Sequence, residues 1–126
     1  MPSNRVDPPG KFFTHRDLTG APAAEPVLLS DANFPPSGAL HCTDLATILV
    51  YYNDSSDGVG TIDVVPLIRD GVNGVWLPMP VVQLAGRAPR VIPVYGANEV
   101  FLRINAVAGA GNNVKIRAAA ASFTSR

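Results

Sequence analysis

A single cysteine, Cys42, excludes an internal disulfide, so the fold does not depend on an oxidising compartment. Its simplest reading is a small core residue. No apolar run approaches the roughly 20 residues of a membrane-spanning helix. The opening MPSNRVDPPGKFF also lacks the apolar centre of a signal peptide. The expectation is a chain made in a cytoplasm, with no membrane partner. Charge is sparse at 16%, and one sign is missing from a long stretch: between Asp17 and Ile68 there are seven acids and no Lys or Arg. From Arg69 onward seven bases face two acids, Asp70 and Glu99, so the net charge of zero hides two unlike halves. Such halves can pair internally or between subunits. A nucleic-acid binder needs a net basic surface, so no nucleic-acid partner is expected.

Groups that do chemistry are equally scarce. The two histidines are His15, near the N-terminus, and His41, whose neighbour Cys42 points to the opposite face of any strand that holds both. There is no set of four Cys and His residues for a structural zinc, and the carboxylates stand singly. Gly109-Ala110-Gly111 precedes no helix, so it is a turn and not a phosphate loop. The stretch Asn53 to Gly60, NDSSDGVG, imitates the first half of a calcium loop, but Val64 stands where the bidentate carboxylate of position twelve belongs. It reads as a hairpin loop. No enzyme activity, cofactor or metal is expected.

The chain is rich in turn formers, 12 Pro and 11 Gly, and in apolar residues, at 47%. Short strands with such punctuation indicate an all-β fold, an antiparallel β-sandwich of about seven or eight strands in jelly-roll or immunoglobulin-like order. Val91 to Ala121 carries the clearest pattern. Val100, Leu102, Ile104 and Ala106 share one face, and Val114, Ile116, Ala118 and Ala120 share another. The Gly/Asn-rich turn between them suggests a hairpin, with Ala106 opposite Val114 or shifted by two. Its other face would carry Arg103, Lys115 and Arg117, a cationic contact patch.

Residues 1–26 read as an extended, irregular, proline-rich arm preceding a sandwich domain at 27–126. Pro2, Pro8, Pro9, Pro22 and Pro26 interrupt any ladder. Its adjacent Phe12 and Phe13 suit an arm anchored on a neighbouring subunit. Val27 to Ser30 is a short strand candidate, and Ala39 to Asn53 reads as one strand buried on both faces. In Thr61 to Arg69, Ile62, Val64 and Ile68 face inward, and Pro66 calls for a bulge or an edge. Val75 to Leu84 reads as an edge strand, with Trp76 as a contact anchor or core cap.

The succession ATILVYYNDSSDG, WLPMPVVQL, IPVYGANEVFLRINAVAG and NNVKIRAAA, within residues 27–122, resembles the small β-sandwich structural proteins of tailed-phage virions, capsid decoration or cement proteins above all. The resemblance implies localisation to a virion and many copies bound to the major capsid protein or other virion subunits. It also implies a homo-oligomer, trimer or dimer, with an arm or loop joining neighbours. It carries no motif, so the partner-contact residues come from this chain alone: Phe12, Phe13, Trp76, Arg103, Lys115 and Arg117. The alternatives are a carbohydrate-binding module, with Trp76, Tyr51, Tyr52 or Tyr95 as sugar platforms, and a head-tail connector or tail subunit.

Overall fold

The stretches Glu99–Ala108 and Lys115–Phe123 both form strands, but in different sheets. The computed structural model describes residues 12–25, 38–69, 71 and 74–124. Among them there is no helix, and the strands in chain order are β1 (Phe13–Asp17), β2 (Leu40–His41), β3 (Leu45–Asn53), β4 (Thr61–Arg69), β5 (Trp76–Pro78), β6 (Val82–Ala85), β7 (Arg90–Pro93), β8 (Glu99–Ala108) and β9 (Lys115–Phe123). One sheet runs β1-β9-β3-β7; the other runs β2-β8-β4, with β5 and β6 in succession along the outer edge of β4. Every pairing is antiparallel.

With β5 and β6 taken as halves of one interrupted strand, each early strand pairs with its counterpart from the far end: β1 with β9, β2 with β8, β3 with β7, β4 with β5 and β6. This is a long hairpin rolled over on itself, the jelly-roll form of the antiparallel sandwich. The core lies between the sheets. Ile48, Val50, Tyr52 and Ile116 come from one side and Ile62, Val64, Leu102 and Ile104 from the other, all fully buried. Alternation thus identifies the inward faces of β8 and β9 correctly up to Ile104, while Ala106 is exposed.

The expected hairpin between these two strands does not form. Segment 109–114 is an arch between the sheets, and the register question between Ala106 and Val114 falls away. The reason is general: alternation states which face of a strand is buried, not which strand lies beside it. The loop after β3 is likewise an inter-sheet crossing rather than a hairpin loop. Ala39 to Asn53 is two strands in different sheets, because Asp44 takes a φ of 72° and the Leu45 N–H closes a tight turn onto the Cys42 carbonyl at 3.0 Å.

Pro66 is neither at an edge nor at the bulge, which falls between Asp63 and Val64. It sits within β4, flanked by β8 on one side. Its carbonyl accepts the Met79 N–H at 2.8 Å, so its donorless nitrogen faces the gap between β5 and β6. A central strand tolerates proline there because the neighbouring strand is interrupted at the same level.

The N-terminal segment differs most from expectation. Phe13–Asp17 is not irregular but an edge strand on β9, with a shift in register between Thr14 and Arg16. A bulge of this kind hides the period-two pattern from the sequence. Val27–Ser30 and the expected boundary after residue 26 lie outside the described residues.

Candidate interaction surfaces

Because β8 and β9 diverge into opposite sheets, their facing edges leave backbone groups that need partners. The N-terminal segment supplies them. β1 pairs with β9, and beyond it Leu18 N–H donates to the Val114 carbonyl and Asn113 N–H to the Gly20 carbonyl, both at 2.8 Å. On the β8 side, side chains take over. His15 Nε2 accepts the Leu102 N–H at 3.0 Å, and Arg16 Nη1 donates to the Leu102 carbonyl at 3.0 Å. Glu25 Oε1 accepts the Ile104 N–H at 3.0 Å, while the Glu25 N–H donates to the Ile104 carbonyl at 2.8 Å. Residues 13–25 are thus a wedge laced into the seam between the two sheets.

The electrostatics of the seam follow from this geometry. Arg16, only 2% exposed, forks onto both carboxylate oxygens of Glu25 and lies over the ring of Phe101, 4.6 Å from its centroid. His15 packs edge-on against the same ring at 5.5 Å. Burial, reinforced by the neighbouring Arg16 charge, lowers its pKa to about 3, so the imidazole is neutral and free to accept at Nε2. Burial pulls the Glu25 carboxyl upward, but the bonds from Arg16 and Ile104 and the charges of Arg16 and Arg103 outweigh it and hold the group below the usual carboxylate range.

The residues expected to form contacts divide accordingly. Arg103, Lys115 and Arg117 do not form one patch, because Arg103 is on β8 and the other two are on β9. Arg103 is buried, bonded to the carbonyls of Glu25 and Ile104 and to Asn105 Oδ1. Arg117 donates to the Phe12 carbonyl, and Phe12 packs edge-on against Tyr51 at 5.1 Å. Trp76 is buried beneath the guanidinium of Arg69, which pairs with Glu99. Phe13 and Lys115 are exposed. The two phenylalanines therefore rest on, or at the edge of, their own sandwich. Arg16 and Glu25 carry no warning in the sequence, since eight intervening residues with a proline leave no periodicity to connect them.

At one end of the sandwich, Asn53, Asp54, Ser55, Asn113 and Lys115 line an open depression of about 270 Å³. Asp54 is already fully engaged: Oδ1 accepts from Ser56 and the Gly58 N–H, and Oδ2 accepts the Gly111 N–H at 2.7 Å. Its carboxylate clamps the β3–β4 loop to the β8–β9 arch. Among the described residues no three His, Cys, Asp or Glu side chains gather to hold a metal ion.

On the opposite flank, Pro66, Met79, Pro80 and Pro93 wall an apolar groove of about 160 Å³ with Val81 and Tyr95 on its rim. Small-molecule sites run from about 300 Å³ upward, so this groove fits one or two side chains of a partner. Tyr95 is 68% exposed and has a φ of 55°, followed by Gly96 at 73°. The Ala97 N–H closes the turn onto the Val94 carbonyl at 3.0 Å. Positive φ at a bulky residue costs about 1 to 2 kcal/mol. Of the four aromatics considered as platforms, Tyr95 alone is exposed: Tyr52 and Trp76 are buried and Tyr51 is half-covered.

No protein-family model, no curated protein and no solved structure matches this chain.

Proposed function

We propose that this chain is a structural accessory subunit of a virion, of the capsid-decoration kind, and that it holds the major capsid protein or another virion subunit through the groove rimmed by Tyr95. The carrying observation is Tyr95 itself, a large aromatic kept at positive φ yet 68% exposed. Backbone bonds from Tyr95 to the Ala46 carbonyl and from Gly96 to the Leu45 carbonyl hold the turn in place, but the ring itself gains little packing on its own domain. Insertion into a partner would bury it, and strained residues cluster at such working surfaces. The proline walls support this reading, because a rigid groove loses little entropy on docking. The jelly-roll order adds support at the level of analogy, since capsid subunits use this fold, as lectins do.

Co-sedimentation with empty capsids tests the proposal. The unaltered chain should pellet with particles, and Tyr95→Asn, which suits the same turn without the aromatic ring, should pellet about tenfold less. Undiminished pelleting of the variant would remove Tyr95 from the contact, and no pelleting of the unaltered chain would remove the capsid. The exposed Tyr95 also favours the carbohydrate reading as a second choice; binding on a glycan array, abolished by the same substitution, would move the assignment there.

A further inference from the structure

We infer that the seam between β8 and β9 is a strand-acceptor site for residues 13–25 of a second copy of this chain, as well as for the chain's own. The seam has to be occupied: without residues 13–25, the N–H and carbonyl groups of Leu102 and Ile104 lose their partners, and β9 loses one of its two neighbours. Among the described residues the seam is filled by the wedge, through β1, Leu18 and Gly20 on the β9 side and through His15, Arg16 and Glu25 on β8. None of these contacts depends on which chain the wedge belongs to.

Chain length permits the exchange. Fourteen residues separate Glu25 from Leu40. In the closed form these residues connect a position beside Ile104 with one beside Val100 on the same strand. Four residues of strand amount to about 13 Å. The connection, fully extended, could span about 50 Å. A tether several times longer than its gap lets the wedge close on its own seam or reach the next molecule. Among the described residues β1 is also an edge strand, so its departure breaks no other pairing there.

Closed and exchanged forms share the contacts of residues 13–25, so concentration decides between them. A short tether presents its own wedge at about millimolar effective concentration. Dilute chains close on themselves, and chains crowded to that level exchange. The inference stands on the seam and would survive failure of the virion assignment.

Full-length chains carrying Asp17→Cys and, separately, Lys115→Cys are unfolded together, refolded at millimolar concentration and oxidised. These positions are cross-strand partners exposed on β1 and β9, within the spacing a disulfide requires. Cys42 stays out of the reaction, since it is buried and its thiol is pushed up to about 12, by burial first and then by Glu99. The expected result is a disulfide-linked heterodimer at least about fivefold above the mis-registered mixture of Asp17→Cys with Arg117→Cys. The second partner pair, Thr14→Cys with Arg117→Cys, guards against a local failure of the first. Heterodimer at the level of the mis-registered control for both pairs would overturn the inference. So would failure of the double variant Asp17→Cys/Lys115→Cys to close within one chain in dilute solution.

Discussion

Arg16 and Glu25 meet through two parallel bonds of 2.7 and 2.5 Å, with the guanidinium almost wholly buried and the carboxylate at the rim. Removing one member of such a pair leaves the other charge in poor surroundings. Arg16→Met should therefore cost about 3 kcal/mol in urea unfolding, near the lower end for a buried pair because Glu25 retains some water. Arg16→Met with Glu25→Leu should cost less than the sum of the single changes, since the orphaned charge is gone. Equal and additive losses would show that the pair contributes nothing as a pair.

Deleting residues 1–21 should destabilise the domain outright, contrary to the behaviour of a free arm. β1 and the bonds to Leu102 are lost together, and two orphaned backbone groups alone cost about 2 to 6 kcal/mol. A truncated chain that melts at the temperature of the full one would contradict the wedge.

Stability should fall on mild acidification because of His15. Its folded value of about 3 lies below the ordinary 6.5, so the unfolded chain takes up a proton that the folded chain refuses. The contribution is complete above pH 6.5 and is lost toward pH 3, at up to about 1.4 kcal/mol per unit. Glu25 and Asp54, both held below their ordinary values, act differently. What they add persists above the usual carboxylate range and disappears as pH falls through their lowered values. His15→Gln, whose amide oxygen can still accept the Leu102 N–H, should flatten the curve between about pH 6.5 and 4.5 and leave the steeper acid limb. An unchanged slope in that window would exonerate His15.

Gly60 should tolerate no side chain. A Cβ there would overlap the backbone of Ala108, Gly109 and Ala110 in the β8–β9 arch. At Gly111 a Cβ would press on the hydroxyls of Ser56 and Ser55, at 2.8 and 2.9 Å, and on the Ser56 backbone nitrogen at 2.9 Å, a shallower overlap than that at Gly60. Hydroxyls rotate and a backbone shift of a few tenths of an ångström relieves the rest, so Gly60→Ala should cost about 3 kcal/mol and Gly111→Ala less. Thermal melts that rank them the other way would mean that the arch yields.

Tyr95→Asn should raise the melting temperature while weakening partner binding. Asn adopts positive φ at little cost, so about 1 kcal/mol should be recovered. A destabilised variant would show that Tyr95 packs within its own domain.

The sequence disclosed what depends on one strand at a time. The inward faces at Val100, Leu102, Ile104 and Ile116, the turn-rich sandwich and the edge character of Val75 to Leu84 all follow from alternation and proline placement. It concealed what depends on pairs. The hairpin expected between β8 and β9 looks right locally, and only the inserted wedge, with its bulge between Thr14 and Arg16, shows why it fails. The cationic patch dissolved for the same reason, since Arg103 and Arg117 share a parity but not a sheet. Tyr95 was visible as an aromatic, but its positive φ was not.

The pairing of β1 and β3 with β9 has a consequence for the newborn chain. Synthesis delivers residues one after another at about 5 to 20 per second, and β9, which lies between those two strands, is the last described strand to emerge. For seconds beforehand, β3 and β8 leave the ribosome with apolar faces ready and their sheets unfinished. Such long-range closure is slow and exposes strand edges. Cooler, slower expression with abundant chaperones should therefore raise the soluble yield more than any change to the finished surface.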